Sequence, residues 1–97
     1  MVFNPDFRPS RNDQVRWQAV DEEGILVNLE TGFYFSLNPV ALFIWDLCDG
    51  EASNAQILEK IVENFDVVEE TARQDFEAFL EALENENLLV VSPPRAS

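Results

Sequence analysis

The sequence predicts an α+β domain of winged-helix type, in which a three-stranded antiparallel meander precedes three helices. Three observations predict it. Apolar residues alternate with period two before residue 38 and recur at helical spacing after it. The changeover falls on Asn38-Pro39, a favoured N-cap followed by a residue whose fixed φ and missing N–H suit the first helical position. No internal repeat divides the 97 residues, so strands and then helices must share one core.

The elements follow in order. Residues 1–14, with Pro5 and Pro9, carry no periodic pattern and are expected to form a flexible arm. Val15, Trp17 and Ala19 alternate with polar residues as a first strand, and Asp21-Glu22-Glu23-Gly24 reads as a turn. Ile25–Glu30 and Phe33–Leu37 then pair as a hairpin around Glu30-Thr31-Gly32, where glycine supplies the positive φ of a tight turn. From Pro39 the first helix carries two neighbouring apolar stripes, Val40, Ile44, Leu47 and Ala41, Trp45, Cys48, which makes it the buried helix; Asp49-Gly50 stops it. Ser53 and Gln56 form a capping box for a second helix with a buried stripe of Ile57, Leu58, Ile61, Val62 and Phe65. After a link at Asp66 to Val68, a third helix places Ala72, Phe76, Phe79, Leu80 and Leu83 on one face and acids on the rest. Asn87 is a left-handed stop, Leu88 to Val91 a short extended piece, and residues 92–97 a tail, which leaves 15–91 as the domain.

Composition narrows the function. There is no histidine and one cysteine, Cys48, which lies inside the apolar helix and reads as a small buried hydrophobe, so the usual parts of catalytic and metal sites are missing. Neither catalysis, a cofactor nor a metal is expected; the adjacent acids Glu22-Glu23 and Glu69-Glu70 read as solvated charge. No apolar run approaches the roughly 20 residues of a membrane span and the N-terminus lacks a signal-peptide layout, so a cytoplasmic location is expected. Six Lys and Arg against 19 Asp and Glu give a net charge of −13. Residues 1–16 hold Arg8, Arg11 and Arg16 against Asp6 and Asp13, a net +1, which leaves −14 on the rest. That field repels nucleic acid and anionic membrane. It fits two readings: solubility alone, or a basic or neutral peptide partner.

Three stretches then carry a resemblance: LETGFYFSLNPVALFIWDLCDGE, the segment from Ile57 to Val67, and AFLEALENENLL. Over about Val15 to Leu89 the chain resembles the PqqD-like family, peptide chaperones of pyrroloquinoline quinone biosynthesis, and more broadly a recognition element for ribosomally made, post-translationally modified peptides. The resemblance implies a non-enzyme that binds the leader segment of a precursor peptide and delivers it to a modifying enzyme. The leader would add as an antiparallel strand on Phe33–Leu37, beside a wall formed by Ala72 to Leu83. Two positions depart from the family pattern: Val68 where a capping Asp or Ser is expected, and Asn87 in place of glycine.

The physics of an edge strand suits that role. Its unpaired N–H and C=O groups accept any backbone, while neighbouring pockets discriminate side chains. The expected peptide-binding residues are Phe33, Tyr34, Phe35, Ser36 and Leu37 on the strand and Arg73, Phe76 and Leu80 on the third helix, with Phe79 and Leu83 assigned to the core. Core packing competes with this assignment for Phe76 and Leu80, and pairing with Glu69 or Glu77 is the favoured reading of Arg73 taken alone. The acids of the third helix would steer a leader carrying Lys or Arg. Alternatives are a winged-helix adaptor that binds another protein outside peptide modification, an acidic mimic of nucleic acid, and self-pairing of the edge strand into a homodimer.

Overall fold

The computed structural model of the chain describes residues 4–93. Eight elements follow one another: β1 (Arg8–Arg11), β2 (Val15–Val20), β3 (Glu23–Asn28), β4 (Tyr34–Leu37), α1 (Pro39–Leu47), α2 (Asn54–Asn64), α3 (Glu69–Asn85) and β5 (Leu89–Ser92). The three-stranded antiparallel sheet has the order β2-β3-β4, as expected of a meander, and three helices follow it in an α+β arrangement of winged-helix type.

Local chemistry sets most boundaries. Pro39 opens α1, and Asn38 Oδ1 accepts from the Ala41 amide at 2.8 Å. Both bonds of the capping box between Ser53 and Gln56 are present at the start of α2. Val68 leads into α3 with no side-chain cap, and Asn87 closes that helix at φ 57°. The β2–β3 turn is tighter than the sequence suggests. Val20 pairs with Glu23, so Asp21, at φ 57°, and Glu22 make the turn while Gly24 belongs to β3. A Cβ at Gly24 would lie 2.8 Å from Leu42 Cδ1, so the bare glycine leaves room for the tip of the Leu42 side chain from α1.

The core lies between the inner sheet face and the helices. Leu26 and Leu37 meet Ile44, Trp45, Ile57, Phe76, Leu80 and Leu83, all nearly inaccessible to solvent. Trp17 packs edge-on against Trp45, with ring centroids 6.5 Å apart. On α2, Ile57, Leu58 and Ile61 are buried, whereas Val62, expected in the same stripe, is exposed.

The N-terminal arm departs from expectation. Residues 1–3, and 94–97 of the expected tail, lie outside the described residues. From Asn4 onward the arm is stitched down: Arg8–Arg11 pairs antiparallel with β5 in a second, two-stranded sheet. Gly50 and Asn54 amides donate to the Pro9 and Phe7 carbonyls at 3.0 and 2.8 Å, and Pro9 is fully buried. The physical reason is that β5 cannot stand alone as a strand, and the arm supplies its partner.

Candidate functional site

Strand β4 lies at one edge of its sheet. It pairs with β3 through Gly24↔Leu37, Ile25↔Ser36, Leu26↔Phe35 and Val27↔Tyr34, and among the described residues no strand pairs with its other edge. The Asn28 amide donates to the Phe33 carbonyl at 3.0 Å. In an antiparallel ladder that bond makes Val27↔Tyr34 a non-hydrogen-bonded pair, so the N–H and C=O of Phe35 and Leu37 face β3 while those of Tyr34 and Ser36 face the open edge. Side chains alternate in the other direction. Tyr34, 70% exposed, and Ser36 stand on the outer face; Phe35 is half-buried and Leu37 fully buried on the inner one.

Where β4 runs through Asn38 into α1, an apolar groove of about 570 Å³ opens between the three helices. Val40, Ala41 and Ile44 line it from α1, Ile61, Phe65 and Val67 from α2 and the following link, and Ala72, Phe76 and Phe79 from α3. Asp66 and Asp75 supply its charge, with no Lys or Arg in the lining. Phe65 is held edge-on by Phe43, ring centroids 5.1 Å apart.

The expected residues divide between this region and elsewhere. Tyr34, Phe35, Ser36 and Leu37 form β4; Phe33 falls just before the strand, its ring 6.3 Å from that of Phe35. Phe76 and Leu80, expected on the open wall, are fully buried, although Phe76 reaches the groove from the core side. Phe79, assigned to the core, is half-buried: it packs against the core and also lines the groove. Helix phase is the reason: Ala72, Phe76, Leu80 and Leu83 form the central stripe, and Phe79, about 100° from Leu80, lies on its flank. Arg73 lies on the opposite flank. It lines a separate cavity with Pro5, Ala55, Leu58 and Val62 and pairs with Glu70 at 2.7 Å and Glu77 at 3.8 Å, so Glu70 takes the place expected of Glu69.

Sequence reasoning missed Val40, Phe65, Asp66 and Val67, whereas Asp75 falls within the expected wall of Ala72 to Leu83. Phe65 and Val67, two apolar residues flanking Asp66 in a helix link, were the available signal. Two groups with displaced ionisation, Cys48 and Asp49, sit at the α1–α2 turn instead. Burial pushes the Cys48 thiol up to about 12, and the Glu51 amide, donating at 2.8 Å, holds the Asp49 carboxyl below its ordinary value. Among the described residues no cluster of three or more His, Cys, Asp or Glu could hold a metal ion, and no helix is long and apolar enough to cross a membrane. What the arrangement can do chemically is accept an extended backbone along β4 and bury an apolar side chain at its end.

The comparisons with known proteins concern the same region. No curated protein matches the chain. Among solved structures it is similar to TbiB1 in complex with the TbiA(β) leader peptide, with 34% identity over 82% of this chain and 93% of that one and a TM-score of 0.77. It shares the fold of lasso peptide synthetase B1 complexed with the leader peptide, at 23% identity over 88% and 98% of the two chains and a TM-score of 0.69. The family model of coenzyme PQQ synthesis protein D matches residues 23–89, from the first residue of β3 to the first of β5. On that match the chain belongs to the PqqD family.

Proposed function

We propose that the protein binds the leader segment of a ribosomally made precursor peptide by strand addition to β4 and presents it to a modifying enzyme, without catalysis of its own. The observation that carries this reading is the open edge of β4, with the backbone groups of Tyr34 and Ser36 turned outward, running into an apolar groove. Similarity to a solved complex with a leader peptide supports it. Tyr34 and Ser36 offer four backbone groups, each worth on the order of 1 kcal/mol when paired, and any peptide sequence satisfies them. An apolar side chain buried in the groove adds about 1.5–3 kcal/mol and depends on its shape. Discrimination among leaders therefore belongs to the groove. Asp66 and Asp75 at its lining favour a leader with Lys or Arg beside the anchor. A precursor made by ribosomes places the encounter in the cytoplasm.

Chemical-shift mapping tests the proposal. The labelled protein is titrated with a synthetic leader from the precursor gene beside its own. Perturbations centred on Phe33–Leu37, Phe79 and the groove support it; perturbations confined to α2 or the Trp17 side with leader in excess refute it and favour a protein adaptor.

A further inference from the structure

Strand β4, which offers the open edge, and helix α3, which lines the groove, belong to different parts of the chain, and one buried side chain is bonded both to the turn before β4 and to the residue that closes α3. Asn28, the last residue of β3, is 1% exposed. Its Oδ1 accepts from the Glu30 and Thr31 amides at 2.9 and 3.4 Å, which closes the turn leading into β4. Its Nδ2 donates to the Asn87 carbonyl at 3.3 Å. That carbonyl is fixed to the end of α3: the Asn87 amide donates to Glu84 O at 3.0 Å and the Leu88 amide to Leu83 O at 2.9 Å. Asn12 Nδ2 donates to the same carbonyl at 2.6 Å but makes no bond to the turn. A buried amide with both ends satisfied has little freedom to shift.

We infer that Asn28 is the positioning residue of the peptide site: by tying the β3–β4 turn to the residue that closes α3, it sets the angle and spacing between the strand that receives a peptide and the helix that lines the groove. This rests on the strand-addition reading for its consequence, but not for its geometry. Asn87 enters through its backbone, so the left-handed residue can vary while the clamp stays. Asn28 cannot vary, because its two jobs need an acceptor and a donor on one short side chain.

The test uses the full chain and compares Asn28→Ser, which keeps a short acceptor for the turn but cannot reach Asn87, with Asn12→Ala, which removes the other amide from the same carbonyl. The first readout needs no peptide: residual dipolar couplings of the Tyr34–Leu37 amides relative to those of α3. Asn28→Ser is expected to change the β4 couplings, and Asn12→Ala to leave them at wild-type values. The second is affinity for a synthetic leader from the precursor gene beside its own, expected to fall about fivefold to tenfold in Asn28→Ser and to stay unchanged in Asn12→Ala. Should Asn28→Ser not fold, Asn28→Asp, which keeps the acceptors and the shape, is measured in its place. Wild-type couplings in the Asn28 variant, or equal disturbance by both substitutions, overturns the inference. A wild-type protein that ignores the leader counts against strand addition, and the couplings still decide the role of Asn28.

Discussion

The guanidinium of Arg11 donates to the Trp45 carbonyl at 2.9 Å and, with the same nitrogen, to the Asp46 carbonyl at 3.0 Å. A cation from the N-terminal arm thus caps the C-terminal end of α1, where no basic residue of the helix itself is present. Arg11→Ala should cost about 1–2 kcal/mol. Urea unfolding of variant and wild type measures it, and equal midpoints would show that this cap contributes nothing to stability.

At the start of α3 the opposite change is expected. Val68 is 69% exposed and leaves the helix without a side-chain cap. Val68→Asp should stabilise by about 1 kcal/mol and raise the Tm by several degrees, on the order of 4–8 °C per kcal/mol for a domain of this size. Calorimetry decides, and an unchanged or lowered Tm contradicts the account of this helix end.

Phe76 and Phe79 separate stability from recognition. Phe76→Ala removes a fully buried ring and should cost about 3–5 kcal/mol. Phe79→Ala, on the half-buried flank that lines the groove, should cost less than half as much stability while weakening leader binding. Unfolding and leader titration on both variants check the pair. Equal stability losses would return Phe79 to the core.

Cys48 gives a pH signature. Burial raises its pKa from 9.0 to about 12, so the unfolded thiol ionises first as the pH rises. The stability this group contributes is complete below about pH 9 and is lost progressively from there to about pH 12. Between about pH 7 and about pH 10.5 the wild type should lose more stability than Cys48→Ala, in which other titrating groups cancel. Parallel declines would contradict a buried neutral thiol.

How far the sequence revealed this structure depended on whether the deciding interaction was local. Asn38-Pro39, the box between Ser53 and Gln56 and the stop at Asn87 act within one turn of backbone, and each is where the pattern puts it. The N-terminal strand was illegible because its cause is remote: Arg8 to Arg11 pair with residues 89–92, and Pro9 in their midst reads as a break. The same distinction governs the site. The meander order with its turn at Glu30-Thr31-Gly32 leaves Phe33–Leu37 as an edge strand, but a 17-residue helix with apolar residues at 72, 76, 79, 80 and 83 has two phases that differ by one residue's rotation. Only its packing against α1 and α2 places Phe79 rather than Leu80 at the groove.

Amide hydrogen exchange in β4, with and without leader peptide, bears most directly on strand addition. In the free protein Phe35 and Leu37, whose amides face β3, should exchange slowly and Tyr34 and Ser36, on the open edge, quickly. Saturating leader should slow Tyr34 and Ser36 and leave their two neighbours nearly unchanged. Leader binding that leaves Tyr34 and Ser36 exchanging at their free rates would contradict the proposal that β4 receives the peptide.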